Sequence, residues 1–137
     1  MPLGVVEGNA ILHDNFAPWV MDLGLVVTEV APDFATLRLP WSDRLAREGG
    51  ALSGQAMMAA ADTATVIAIS AARGAYGPMT TVGQSTTFQR PIVGQDVLVT
   101  ARITKLGRTL AFADVDLVGA SDGGFAARAT TVYAILG

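Results

Sequence analysis

The sequence predicts an α+β fold in which a curved antiparallel sheet wraps around one long helix. Residues 49–72 are apolar or small almost throughout, with Asp62 as the single charge between Glu48 and Arg73, which is typical of a buried helix. Residues 80–135 instead alternate with a period of two in four segments, which is typical of strands. One buried helix that follows two strands and precedes four predicts this α+β class.

The first half of the chain carries a short helix and two strands. We expect the short helix over residues 15–22, with Asn15 as its cap and Pro18 in its first turn. Two apolar, β-branched segments predict strands joined by a turn, and they span residues 25–30 and 34–39.

The long helix and four strands make up the second half. Ser53 is the expected N-cap of the helix, and the pair Arg73-Gly74 supplies a cation and a stop at its end. The short connections between the later strands predict an antiparallel meander. These strands are expected over residues 80–89, 97–105, 109–118 and 125–135.

Composition excludes several classes of function. The 137 residues suit one domain over residues 1–137, and the net charge of −3 without a basic stripe argues against nucleic-acid binding. With no cysteine and one histidine, neither a thiolate nucleophile nor a multi-histidine metal site is available. Only 15% of residues are charged, which is lean for the surface of a monomer, so we expect a homo-oligomer.

No membrane attachment or export is expected. Residues 1–7 lack a basic start and a long apolar run, so they do not resemble a signal peptide. The uninterrupted apolar stretch after Asp62 is about ten residues, against about 20 needed to span a bilayer. The sequence therefore predicts a soluble, cytoplasmic protein.

Asp62 is the most informative residue of the long helix. An ionised carboxylate among apolar neighbours is costly unless it is paired or protonated. The residue is therefore either a functional carboxylate or an Asp on the solvent edge of the helix, and the segment alone favours neither interpretation.

The start of the same helix offers a second chemical group. Gly54 and Gln55 would present free backbone N–H groups at the positive end of the helix dipole, where a carbonyl oxygen can become an oxyanion. Eight residues separate Gly54 from Asp62, about 12 Å along the axis and about 80° around it. Because a donor and a base must both lie within about 3 Å of one reacting centre, one helix cannot supply both. Two antiparallel copies across a two-fold axis can, so we expect a site shared between subunits.

The order of motifs resembles a known family. Residues 50–64, GALSGQAMMAAADTA, resemble the helix of hotdog-fold acyl-CoA thioesterases of the phenylacetyl-CoA type, whose pattern is roughly G-x-x-H-G-G-x-x-x-x-x-x-D-x-A. The next strand of that family, with its Arg-Pro end, and its later strands resemble residues 81–91, 94–97 and 105–112. The resemblance implies a hotdog fold, hydrolysis of acyl-CoA-type thioesters without a cofactor, and a homodimer or homotetramer (a dimer of dimers).

The resemblance assigns roles to three residues. Asp62 matches the acidic catalyst, which acts as general base on water or as nucleophile on the thioester. Gly54 matches the glycine whose backbone N–H polarises the thioester carbonyl, and Thr81 falls where a Ser or Thr orients the attacking water. Asp62 and Thr81 would come from one subunit and Gly54 from its partner, which agrees with the spacing along the helix.

The sequence also departs from the family pattern. Ser53 replaces the usual His, Gln55 replaces the second Gly, and Arg47 falls about where many members carry an Asn. Ser53 can still donate a hydrogen bond to a carbonyl or leaving sulfur, and Gln55 adds a side-chain amide. These changes predict an altered substrate choice or a reduced rate, and they leave loss of activity open.

The remaining candidates are cationic. Three basic residues at strand ends and a hairpin could meet the phosphates of CoA or form part of a solvated surface: Arg90, Lys105 and Arg108.

Two alternatives to hydrolysis stay open, a non-catalytic module that binds acyl groups or acyl-CoA and a structural oligomer. In the structural oligomer, Asp62 would pair with Arg47 or Arg44 of a neighbouring subunit.

Overall fold

The computed structural model describes residues 3–137 and has the predicted α+β architecture. A six-stranded antiparallel sheet curves around one long helix. In chain order the elements are α1 (Val5–Asn15), α2 (Pro18–Met21), β1 (Val26–Val30), β2 (Phe34–Leu39), α3 (Gly54–Arg73), β3 (Met79–Phe88), β4 (Val97–Leu106), β5 (Leu110–Gly119) and β6 (Phe125–Ile135).

Helix α3 is the centre of the core, and its predicted ends are confirmed. The Ser53 side chain accepts a hydrogen bond from the N–H of Ala56 at 3.2 Å. The last turn closes at Gly74, whose φ of +84° is a left-handed conformation that glycine adopts without steric cost. Alanines dominate the buried side of the helix, and their small side chains let the sheet approach closely; the four that are fully inaccessible are Ala60, Ala61, Ala64 and Ala68.

The strand order corrects one prediction. The sheet runs β1-β2-β4-β5-β6-β3, so β4, β5 and β6 form a meander, but β3 pairs with β6 at the far edge and does not contact β4 as a neighbour. The connection over residues 89–96 is the physical reason. It passes the start of α3, where the Leu52 N–H donates to the carbonyl of Ile92 at 2.8 Å, and so carries the chain from one side of the curved sheet to the other.

The N-terminal segment corrects a second prediction. Helix α1 was not predicted, and Asn15 is its last residue and does not cap the following helix. Helix α2 begins at Pro18 after Ala17 as its N-cap. The start signal of α1 is the Glu7 carboxylate, which accepts from the Gly4 N–H at 2.8 Å.

The two edges of the sheet differ. The edge at β1 is covered by α1, because the Asn9 side chain accepts from the Val27 N–H at 2.9 Å and donates to its carbonyl at 3.0 Å. Within residues 3–137, strand β3 pairs only with β6, so its other edge is open. Charged residues and prolines usually protect a free edge from pairing with another chain, and the ten residues of β3 include neither.

The length and composition of α3 would also allow it to cross a membrane. However, 67% of its apolar window is buried inside the fold, as in the core helix of a globular domain.

Candidate active site

Asp62 lies in the middle of α3 and is held by two hydroxyl groups. The Thr81 hydroxyl donates to Asp62 Oδ1 at 3.0 Å, and the Tyr133 hydroxyl donates to the same oxygen at 2.5 Å. No hydrogen bond among residues 3–137 engages Oδ2. The side chain is half-buried, so the carboxylate is anchored on one oxygen and accessible on the other.

The pairing of β3 with β6 brings the two donors together. Thr81 and Tyr133 are direct partners across these strands, and side chains of directly opposite residues lie on the same face of a sheet. Next to them the register shifts between Thr81 and Gly83, which leaves Val82 as the extra residue of a β-bulge. The antiparallel pairing therefore aims both hydroxyls at one turn of α3.

Tyr133 was not predicted as a site residue. Its side chain is 3% exposed, and burial, followed by the negative charge of Asp62, raises the pKa of its phenol far above the ordinary value. Tyr133 therefore stays protonated and remains a hydrogen-bond donor to Asp62. Its sequence signal is that of a core aromatic in an alternating strand, and only the β3–β6 register reveals its partner.

The start of α3 supplies free backbone donors, as predicted. None of the hydrogen bonds within residues 3–137 uses the N–H of Gly54 or Gln55. The Ser53 hydroxyl serves as the cap, so its oxygen is engaged as an acceptor, while its hydrogen can still be donated. At the first turn of a 20-residue helix, these N–H groups suit a carbonyl oxygen that gains negative charge.

Two cavities flank this helix start. One of about 400 Å³ is lined by Gly54 and the ring of Phe88, and the other of about 250 Å³ lies on the opposite side, beside Ser53 and Gln55. Neither cavity includes Asp62. Within one chain the structure thus places the predicted donor and the predicted base at separate locations.

The predicted cationic residues separate into two groups. Arg47 and Arg90 line the larger cavity, and Arg90 also pairs with Asp122 at 3.0 Å. Lys105 lies near the far end of β4 and Arg108 in the hairpin after it. Ten residues of β4 span about 30 Å, so one chain does not bring the two groups together.

The surroundings of Asp62 within the described part of one chain are uncharged. Within residues 3–137, no ion pair involves Asp62, whose partners are neutral hydroxyls. In the same part of the chain, no group of His, Asp and Glu side chains is arranged to hold a metal ion.

The chain matches the model of the thioesterase superfamily over residues 49–126, which is more than half of its length and includes α3 and β3. No curated protein matches at a significant level. Among solved structures, zebra fish thioesterase superfamily member 2 is 26% identical, with a TM-score of 0.82 over 96% of this chain and 95% of its own. The mouse thioesterase superfamily member 2 is 22% identical, with a TM-score of 0.84 over 95% of this chain and 96% of its own.

A bacterial structure shows the same fold at lower identity. The Escherichia coli PaaI protein, from the phenylacetic acid degradation operon, is 17% identical with a TM-score of 0.83 over 97% of this chain and 94% of its own. The element order, the sheet around α3 and these similarities confirm the expected fold. The chain therefore belongs to the thioesterase superfamily and has its hotdog fold.

Proposed function

We propose that this protein hydrolyses acyl-CoA-type thioesters to a free acid and a thiol, in sites shared by two subunits. Asp62 and Thr81 would come from one subunit and the N–H of Gly54 from its partner. Membership of the thioesterase superfamily supports thioester hydrolysis in general. The observation that carries the assignment is the Asp62 carboxylate, anchored through Oδ1 with Oδ2 unengaged by any residue of the described chain.

The reaction follows from these groups. Asp62 takes a proton from water as the water oxygen attacks the thioester carbonyl carbon. The carbonyl oxygen becomes an oxyanion and accepts hydrogen bonds from the free N–H groups at the partner's α3 start. When the tetrahedral intermediate collapses, the C–S bond breaks, and the leaving sulfur takes the proton that Asp62 holds. The products are the acid and the thiol.

A covalent route uses the same residues. Asp62 would add to the carbonyl carbon, expel the thiolate and form an anhydride that water then hydrolyses. A single turnover in ¹⁸O-labelled water tests for the covalent route, because that route alone puts label into the Asp62 carboxylate. The label enters the product acid directly when Asp62 is a base, and enters the Asp62 carboxylate when it is a nucleophile and water attacks the anhydride at the Asp62 carbonyl.

The open edge of β3 supports the dimer that this site requires. A long, uncharged edge strand is prone to pair with another chain, and β3 is such a strand. Pairing of β3 with its copy across a two-fold axis would extend the sheet and bring each α3 towards the partner's α3. A dimer of two such dimers remains compatible with the lean surface charge.

Basic residues support a CoA carrier. Arg47 and Arg90 line the cavity that contains Gly54, where guanidinium groups can bind phosphates. Lys105 and Arg108 lie at the other end of the sheet, so they would approach the same substrate only from the partner subunit.

The second candidate function is a module that binds acyl-CoA without cleaving it. The observation in its favour is Ser53, which stands where the family usually carries His and whose oxygen is engaged as the helix cap. Ser53 cannot supply a positive charge to the carbonyl or the leaving sulfur. Under this alternative the protein binds CoA esters and releases no thiol.

The Asp62→Asn variant tests the proposal on a panel of aryl, short-chain and long-chain acyl-CoA esters, with thiol release as readout. We expect the variant to fold and to keep its oligomeric state but to lose activity. Asp114→Asn is the matched control, because Asp114 is an exposed carboxylate on β5, away from the site.

Each other outcome has a distinct meaning. Activity of Asp62→Asn at the wild-type level would refute the proposed role of Asp62. Binding of CoA esters by the wild type without cleavage would establish the binding module. Dissociation of the variant's oligomer would support an ion pair of Asp62 with a neighbouring subunit.

A further inference from the structure

We infer that Tyr133 is a positioning residue that anchors the Asp62 carboxylate through Oδ1 and leaves Oδ2 as the oxygen that reacts. The inference rests on the proposed function, since it concerns the step in which Asp62 acts. It assigns a role to a residue outside the groups that contact the substrate.

The hydrogen bonds around Asp62 are asymmetric. Oδ1 accepts from Tyr133 at 2.5 Å and from Thr81 at 3.0 Å, whereas Oδ2 accepts from no residue of the described chain. The Tyr133 hydroxyl also lies 3.2 Å from the main-chain carbonyl of Asp62. A half-turn of the carboxylate only exchanges two equivalent oxygens, whereas any other rotation breaks both hydroxyl contacts. The side chain is therefore held in one orientation.

The Tyr133 anchor is itself rigid. Its ring is packed in a small apolar cluster with Val66 and Ile69 of α3 and Ala111 of β5, and β6 has strand neighbours on both sides. By contrast, Thr81 is exposed on the edge strand β3. Tyr133 is thus the donor whose position depends least on the partner subunit or on solvent.

A second polar contact fixes the register of α3 against β6. The Thr65 and Thr131 hydroxyls lie 2.9 Å apart in the core. Thr65 follows Asp62 by three residues on α3, and Thr131 precedes Tyr133 by two on β6. The Thr65–Thr131 and Asp62–Tyr133 pairs therefore connect the same face of α3 with the same face of β6. The Thr65–Thr131 pair is fully buried, but no hydrogen bond connects it to the carboxylate.

Tyr133→Phe is the test, because it removes the hydroxyl and keeps the ring in its apolar cluster. We expect kcat for the best acyl-CoA ester to fall by about 10- to 100-fold, since small displacements of a catalytic group have effects of this order. KM should change by less than about threefold, because Tyr133 does not contact the substrate. Thr65→Val, the matched control, should keep kcat within about threefold of wild type.

The outcomes separate this inference from the proposed function. If Asp62→Asn is inactive while Tyr133→Phe has the wild-type kcat, the proposed function stands and the anchoring role is overturned. An equal loss of kcat in Thr65→Val would also overturn it, because the effect would then come from helix packing. A wild type without thioesterase activity would overturn both proposals.

Thr81→Val is the second variant. It removes the other donor to Oδ1 from an exposed strand residue, and we expect a smaller fall in kcat than in Tyr133→Phe. Should Tyr133→Phe not fold, NMR of the wild type provides the test: the Tyr133 hydroxyl proton should exchange slowly with solvent, and rapid exchange would overturn the anchoring of Oδ1.

Discussion

Alkaline pH should destabilise this protein through one identified group, the Tyr133 phenol. Burial is the main cause of its raised pKa, and the charge of Asp62 is the second. In the unfolded chain the same phenol has a pKa of about 10. Above that pH the unfolded chain releases a proton that the folded protein retains.

The sign and size of the effect follow from proton linkage. A folded pKa above the unfolded value contributes stability that is fully present below pH 10 and is lost as the pH rises towards the folded pKa. For one proton, the free energy of unfolding falls by about 0.7 kcal/mol per pH unit at pH 10 and by about 1.4 kcal/mol per pH unit once the unfolded phenol is fully ionised. At 3% exposure, the phenol is not screened by solvent.

Tyr133→Phe isolates this contribution, because every other titrating group is common to both proteins. Urea unfolding at pH 9, 10 and 11, followed by tryptophan fluorescence, gives the two stabilities. Between pH 10 and 11 the wild type should lose about 1 kcal/mol more than the variant, because the unfolded phenol is only half ionised at pH 10. Tyrosinate absorbance should show one of the two tyrosines ionising only as the protein unfolds. Parallel losses in both proteins, with Tyr133 ionising in the folded state, would refute the account of its burial and of its contact with Asp62.

The remaining predictions concern the helix start and the sheet edge. Gly54→Pro removes the N–H at the first helical position, where proline is tolerated, and should lower kcat by about 10²- to 10³-fold. Gly54→Ala keeps the N–H and adds the same Cβ, 3.2 Å from the half-exposed Phe88 ring, so its loss should be at least tenfold smaller than that of Gly54→Pro. Val82→Lys puts a charge on the open β3 edge and should dissociate the oligomer in sedimentation experiments. Thr28→Lys, on the covered β1 strand, should leave it intact, and the reverse result would place the interface elsewhere.

The parts of the fold that depend on neighbouring residues could be predicted from the sequence. Ser53 and Gly74 define the ends of α3 through contacts within four residues. The apolar, β-branched segment of β2 and the alternation of β6 predicted the bounds of these strands. Helix α1 was not predicted because Gly8 and Asn9 interrupt its apolar pattern. Both residues make tertiary contacts with β1. Gly8 lets α1 approach the Val27 side chain closely, and the Asn9 side chain forms hydrogen bonds with the Val27 backbone.

The site could likewise be predicted only where it depends on neighbouring residues or on the family resemblance. Asp62 and the free N–H groups of α3 can be recognised from one segment, and the family resemblance adds Thr81. Tyr133 lies 71 residues from Asp62 in the sequence, and only the pairing of β6 with β3 brings it to the carboxylate. The position of β3 at the sheet edge was not predicted. The alternating pattern of a strand is the same whether it pairs with the next strand in the sequence or, as β3 does, with a distant one.

Subunit complementation tests the shared site most directly. Asp62→Asn and Gly54→Pro subunits are mixed, unfolded together and refolded, with thiol release as the assay. Each variant alone should be nearly inactive. In a mixed dimer one site combines the intact Asp62 of one subunit with the intact Gly54 of the other, so random pairing should restore about a quarter of the wild-type activity. If the mixture is as inactive as the separate variants although mixed dimers have formed, Asp62 and Gly54 do not act across the subunit interface.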